Sequence, residues 1–257
     1  MTSGHGLSEA ARPFSAGEGP RGVLLIHGFG GTPASMRPWA AHLERHGYAV
    51  SVPLLPGHGT AWQDMARPRW TDWFTTVDGA LSELRERCET TAVAGISMGA
   101  ALALLLAVER PRDVSALLLV NPRVANAHRL MFAVPVLQHV IPSIAGDSRP
   151  VKKPGVPRVS YERLSVKAVR QMMLLWKELR PRLSEVTQPV IIWRSVADGP
   201  AGTLSSEVIL GEVRSQERRE LLLQDSYHLA TLDNDADSIF NESVAFLTAQ
   251  SRAAQAR

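Results

Sequence analysis

Gly95-Ile96-Ser97-Met98-Gly99 sets a serine between two glycines, the spacing of a sharp strand-to-helix turn that lifts a hydroxyl clear of the backbone. A serine hydroxyl is a poor nucleophile at neutral pH. An imidazole must take its proton, and a carboxylate must hold that imidazole in the right tautomer. Among the eight histidines, His5 lies in a Gly, Ser and Ala-rich start and His42 and His46 on the exposed side or end of a helical pattern. His128 and His139 fall in a long interval between strands, which leaves His27, His58 and His228. After a turn of this kind the acid and then the histidine follow in chain order. His228, the last histidine, is therefore the expected base, a loop histidine with another role being the alternative. The acid is expected just after a strand, and PVIIWRSVAD supplies Asp198. Asp225 competes, but so close before the histidine it is badly placed to face the ring nitrogen distant from the serine. Asp233 and Asp235 follow the base and read as caps of the last helix.

Acyl transfer also needs donors aimed at a developing oxyanion. The N–H of Met98, directly after the serine, is one expected donor. The other is the N–H of Phe29 in VLLIHGFGGTP, where Gly28, Gly30 and Gly31 let the backbone turn back. Read as a phosphate cradle, the same loop lacks both G-x-G-x-x-G spacing and a Gly-Lys-Ser/Thr ending, which disfavours nucleotide binding.

The elements that position these residues are legible as runs and periods. Val23–Ile26, Ala49–Pro53, Thr91–Ala94, Ala116–Val120, Val190–Trp193 and Glu220–Leu223 are apolar nearly throughout. They read as strands buried on both faces, the condition of a parallel sheet between helices. TAVAG before the serine reads as a strand and SMGAALALLLAVE after it as a helix. Thr32 and Pro33 predict the start of a helix ending near His46. Trp73, Val77, Leu81, Leu84 and Cys88 form one apolar helical stripe, which makes Cys88 a packing residue. The last helix is expected from about Ala236 to Leu247. The alternation predicts a doubly wound α/β architecture.

One interval is too long for an ordinary strand-to-helix connection. Arg123 to Ser184 carries Pro-rich stretches and a helical pattern over Ser160–Leu179 with a broad apolar surface. It is read as an inserted lid, with Met131, Phe132, Met172, Met173 and Trp176 as candidate pocket linings. The expected organisation is a loose N-terminus over 1–20, a core of 21–122 and 185–250, the lid at 123–184 and a loose tail at 251–257.

HGFGGTP, PLLPGHG, GISMG, the late acid after PVIIWRSVA and SYHLATLD, in this order over Gly22 to Leu247, resemble bacterial carboxylesterases and monoacylglycerol lipases of the α/β-hydrolase fold. The resemblance implies Ser97 as nucleophile, Asp198 as acid, His228 as base and Phe29 and Met98 as oxyanion donors. It also implies hydrolysis of short to medium acyl esters or monoacylglycerols without metal or cofactor, and a mostly parallel sheet with a cap after the sixth strand. A serine nucleophile argues against dehalogenase and epoxide hydrolase relatives, which use aspartate. The chain departs from the pattern at Asp198-Gly199-Pro200, where the family usually has one polar residue and then an apolar pair. A thioesterase or carbon–carbon hydrolase on the same triad is the alternative, and a ligand receptor on a hydrolase scaffold a further one.

Composition narrows the setting. In 257 residues, 45% hydrophobic and 21% charged is a globular balance. The longest apolar run, Ala100–Val108, is about half of what a bilayer span requires. The N-terminus lacks the basic start and apolar run of a secretory signal, so a cytoplasmic location is expected. One cysteine excludes a disulfide framework and a thiolate zinc cluster. A net charge of +3 argues for no nucleic-acid partner. The interval 123–184, however, holds twelve Lys and Arg against three Asp and Glu, +9, leaving −6 for the remainder. This predicts either a solvated polar face or a lid drawn to anionic lipid surfaces. Oligomeric state has no signature in the sequence.

Overall fold

In a computed structural model describing residues 9–125, 129–148 and 151–255, the six apolar runs fall on strands of one seven-stranded sheet, the seventh being Phe14–Ala16. In chain order the elements are β1 (Phe14–Ala16), β2 (Arg21–Ile26), α1 (Arg37–Arg45), β3 (Ala49–Val52), α2 (Trp70–Arg87), β4 (Thr90–Ile96), α3 (Met98–Glu109) and β5 (Leu117–Val120). There follow α4 (Val134–Leu137), β6 (Ser143–Ala145), β7 (Arg163–Ser165), α5 (Val166–Leu179), β8 (Val190–Ser195), α6 (Pro200–Glu212), β9 (Arg218–Leu223) and α7 (Ala236–Gln255). The sheet order is β1-β3-β2-β4-β5-β8-β9, parallel except for β1, which runs antiparallel to β3.

Both faces of β2, β3, β4, β5 and β8 are covered, but β9 is an edge strand with Leu222 48% exposed, so Glu220–Leu223, expected to be buried on both faces, is not. Leu24 and Ile26 pack with α2, α3 and Leu175 and Leu179 of α5, whereas Val23 and Leu25 pack with Trp39 and Leu43 of α1 and Phe240 and Phe246 of α7. Neither face of these inner strands has to suit water, so they show no polar alternation. The helix after the serine, α3, is enclosed from Met98 to Val108, which explains a pattern apolar all round.

The parallel register brings the strand ends to one edge. Ile26 pairs with Gly95, Ile96 with Val120 and Val120 with Trp193. The residues leaving that edge are His27, Ser97, Asn121 and the turn that carries Asp198.

Several boundaries differ from expectation. Phe14–Ala16 is a paired edge strand, and α7 continues through the expected loose tail to Gln255. At Thr32 there is only a 3-10 turn, Pro33–Ser35; its hydroxyl donates at 3.4 Å to Val159 O instead of capping, and α1 starts at Arg37. The Ser160–Leu179 pattern is helical only from Val166, its earlier part holding β7, which pairs with β6 in a separate two-stranded sheet. The long excursion leaves after β5, the fifth strand in chain order instead of the sixth, because only one strand precedes the parallel run. Cys88 is buried at the end of α2, against Gly22. His5 and His128 lie outside the described residues.

Candidate active site

The serine turn is built by close backbone approach. Ser97 adopts φ 57° and ψ −117°, a conformation that costs a non-glycine residue about 1–3 kcal/mol. A Cβ on Gly95 would stand 2.4 Å from the Gly99 carbonyl carbon, and one on Gly99 2.2 Å from Ile26 O. Only glycine on each side lets β4 turn into α3 this sharply against β2. The Ser97 side chain therefore sits at the sheet edge, where open α/β sheets place their sites.

The residues expected as acid and base, Asp198 and His228, meet there. His228 Nδ1 lies 2.7 Å from Asp198 Oδ1, and the Asp198 side chain is only 3% exposed. Asp198 ends a 3-10 turn after β8; Gly199 takes φ 75°, and Pro200 starts α6. Asp225, the competing acid, pairs at the surface with Lys152. Asp233 is not a simple helix cap. Its buried carboxylate accepts the N–H groups of Lys152, Lys153, Tyr227 and Asn234, at 2.7 to 2.9 Å. Asp235 accepts the Asp225 N–H at 2.8 Å. Both look back into the histidine loop.

Asn121 joins the two halves of the pair. It is buried, with φ 42°; Nδ2 donates to Ser195 Oγ, Tyr227 O and His228 O, and Oδ1 accepts the Ser195 N–H at 2.7 Å. One side chain thus ties the end of β8 to the backbone of His228. Arg123 adds a cation, its Nη2 lying 2.8 Å from Asp198 Oδ1.

Gly28 and Phe29 line the same cavity as Ser97, and Met98 opens α3, where backbone N–H groups lack helical partners. Under the glycine turn, His27 Nε2 accepts the Leu55 N–H at 3.1 Å, so its proton sits on Nδ1, which donates to Gly28 O at 2.9 Å. His27 is a neutral strut between two loops. Burial, with the neighbouring His58 ring adding to it, pushes His27 down to about 3, and burial pushes His58 down to about 4. In the unfolded chain both titrate near the usual ~6.5. Between these values the unfolded state binds more protons, so their contribution is complete above pH ~6.5 and is lost as pH falls toward the folded values. Urea unfolding should show up to about 4 kcal/mol lost between pH 7 and pH 5 for the two rings together. A stability that stays level over that interval would refute the neutral assignment.

The cavity measures about 720 Å³. Met172 and Trp176 of α5 are among the residues that line it. Met131 and Met173 are not among its lining residues and pack against both the main core and the small cluster of Val134, Val166 and Val169, and Phe132 is 87% exposed. Apolar type alone does not separate a cavity wall from a minor core or a surface. Tyr161, Leu164, Tyr227 and Leu229 are further lining residues. The Tyr161 N–H donates to Gly30 O at 2.9 Å, and its hydroxyl accepts the Thr60 N–H at 2.8 Å. The excursion is stitched to the glycine turn and to the PLLPGHG loop. Among the described residues no group of three His, Cys, Asp or Glu could hold a metal ion.

Known proteins resemble this chain over almost its whole length. Residues 19–235 match the hydrolase family described as serine aminopeptidase, S33. A thermostable monoacylglycerol lipase of Bacillus sp. (strain H-257) is 35% identical over 251 residues, 96% of this chain and 98% of that one. A carboxylesterase of Bacillus subtilis (strain 168) is 23% identical over 92% of this chain and 96% of its own length. Among solved structures, one reported for the metagenome-derived lipolytic enzymes LipS and LipT superposes with a TM-score of 0.89 at 31% identity, covering 95% of this chain and 99% of that one.

Proposed function

This chain belongs to the serine aminopeptidase S33 family of α/β-hydrolases, and from that premise we propose that it cleaves monoacylglycerols and related carboxylic esters of short to medium acyl chains through Ser97, His228 and Asp198. That it is an ester-bond hydrolase follows from its esterase and lipase relatives. The observation that carries the finer reading is a strained serine turn opening on the same cavity as a buried carboxylate–imidazole pair.

In the proposed reaction, Ser97 Oγ attacks the ester carbonyl as His228 Nε2 takes its proton. Asp198 at Nδ1 fixes the tautomer and stabilises the imidazolium. The N–H groups of Phe29 and Met98 receive the oxyanion, each such donor being worth about 2.7–4 kcal/mol. The alcohol leaves with the proton from Nε2, and a water activated at the same nitrogen hydrolyses the acyl-enzyme. Met172, Trp176 and Leu164 would offer the acyl chain an apolar wall. A fluorophosphonate probe should label Ser97, and kcat/KM should peak at short to medium p-nitrophenyl and monoacylglycerol chains. Labelling elsewhere, or a flat response to chain length, would count against the reading.

The excursion, Arg123 to Ser184, is proposed as a lid that meets anionic lipid. Phe132, Val136 and Val140 are 87%, 71% and 73% exposed, and Lys153, Lys167 and Lys177 are also exposed. Some of the basic excess is already spent within the protein, as in Arg180 with Glu212 and Arg182 with Glu185. Among the described residues no helix is long and apolar enough to cross a membrane, so the contact proposed is peripheral. Binding to vesicles should require anionic lipid and weaken with salt; binding indifferent to both would overturn it.

A further inference from the structure

Asp198 holds its charge in an unusual arrangement. Oδ1 receives two donors, His228 Nδ1 at 2.7 Å and Arg123 Nη2 at 2.8 Å, and the same Nη2 lies 3.3 Å from the Asp198 carbonyl oxygen. Oδ2 is buried without a partner, as is Nη1 of Arg123, among the described residues. A buried carboxylate ordinarily gathers several donors. Here the chain that follows withholds them. Pro200 has no N–H, and the N–H groups of Gly202 and Thr203 turn back to Gly199 O. At residue 202 a Cβ would stand 2.6 Å from Oδ2, so α6 comes close to the acid without bonding it. Arg123 is itself anchored beside the nucleophile, its N–H donating to Ser97 O at 3.2 Å.

We propose that Arg123 is a positioning residue of the hydrolytic site: its guanidinium holds the Asp198 carboxylate in register with His228, in place of the backbone donors that the Gly199–Pro200 turn removes, and takes a share of that carboxylate's charge. The proposal rests on reading Ser97, Asp198 and His228 as one triad. Its two parts act differently. Loss of the clamp lets the carboxylate swing from the imidazole, which slows the chemical step. Loss of the positive charge leaves the carboxylate wholly to the imidazolium, so the acidic limb of the rate profile moves to higher pH. Other charged or titratable groups around this corner are Arg194 of β8, paired at 2.8 Å with Glu220 of β9, Glu207 of α6 near Arg194, Asp147 and Tyr161 on the excursion wall, and Tyr227 beside the base. Beyond them, Lys152 and Asp233 lie near Tyr227, and Lys152 pairs with Asp225. All of these are kept in the variants below.

The test uses the full chain with a p-nitrophenyl ester, with Ser97→Ala as blank. Arg123→Met should lower kcat about 10- to 100-fold with KM within about twofold, and raise the acidic limb of kcat/KM by about half a pH unit or more. Arg123→Gln keeps a donor without charge; it should regain part of kcat but retain the displaced limb. Arg123→Lys should restore the limb. A kcat within about threefold of wild type and an unmoved limb in Arg123→Met would overturn the proposal. So would a loss confined to KM, which would make Arg123 a substrate contact on the cavity wall. Should Arg123→Met fail to fold, the Gln and Lys variants decide by the same two readouts. Activity surviving in Ser97→Ala would instead defeat the triad reading, whatever Arg123 does.

Discussion

Ser97→Ala should lower kcat for a p-nitrophenyl ester by about 10⁵- to 10⁶-fold, while the protein stays folded. The size follows from how such sites act as a unit. Without the nucleophile, the base and acid have no hydroxyl to activate, and only the oxyanion donors and substrate binding remain, together worth about 10³-fold over water. The fold is spared because alanine at φ 57° carries about the strain that serine already carries there, and Ser97 supplies backbone bonds, to Val120 O and from Ala100 N–H, that the substitution leaves alone. Burst kinetics and a melting curve on the same preparation read both. More than about one per cent of wild-type turnover in a folded variant would place the nucleophile elsewhere.

The second large effect is expected at Asp198, the proposed acid. Asp198→Asn should cost about 10⁴ in kcat, since an amide can offer His228 Nδ1 a donor and so favour the wrong tautomer. It also leaves Arg123 without its anion in a corner where the acid is 3% exposed, and breaking a buried pair from one side is destabilising. A melting point lowered by several degrees should accompany the kinetic loss. Asp225→Asn is the control. Its carboxylate is 55% exposed and faces Lys152, so kcat should change less than about twofold. Reversal of the two results would transfer the acid to Asp225, as the sequence alone left open.

How far the sequence spoke depended on the range of each constraint. The serine turn was legible because its requirement is local: Gly95 and Gly99 are needed within two residues of Ser97, and the structure shows each filled by another backbone. The inner parallel strands were legible because burial on both faces removes polar alternation, whereas β9, read the same way, is a partly exposed edge. β1 was not, since Phe14–Ala16 is three residues long and is made a strand by its partner Val50–Val52. The paired Arg123 was likewise invisible, lying 75 residues from Asp198; only the path of the loops after β5 and β8 brings the charges together. The Gly199–Pro200 irregularity was visible, but what stands opposite it was not. Of the candidate pocket residues, Met172 and Trp176 share a face one helical turn apart and both reach the cavity, whereas Met173, next in sequence to Met172 and packed against the same core, adds contact with the Val134, Val166 and Val169 cluster and does not line the cavity.

The carboxylate of Asp233 bears on how this protein can be re-engineered. Lys152 and Lys153, inside the excursion, and Tyr227, next to the base, all direct backbone N–H groups at it. The excursion is consequently not an exchangeable module that a chimera could swap between relatives by cutting at β5 and β8. A transplanted segment has to present two successive amides at the same spot. Without them, a buried anion loses half its ligands, and the loop carrying His228 loosens with it.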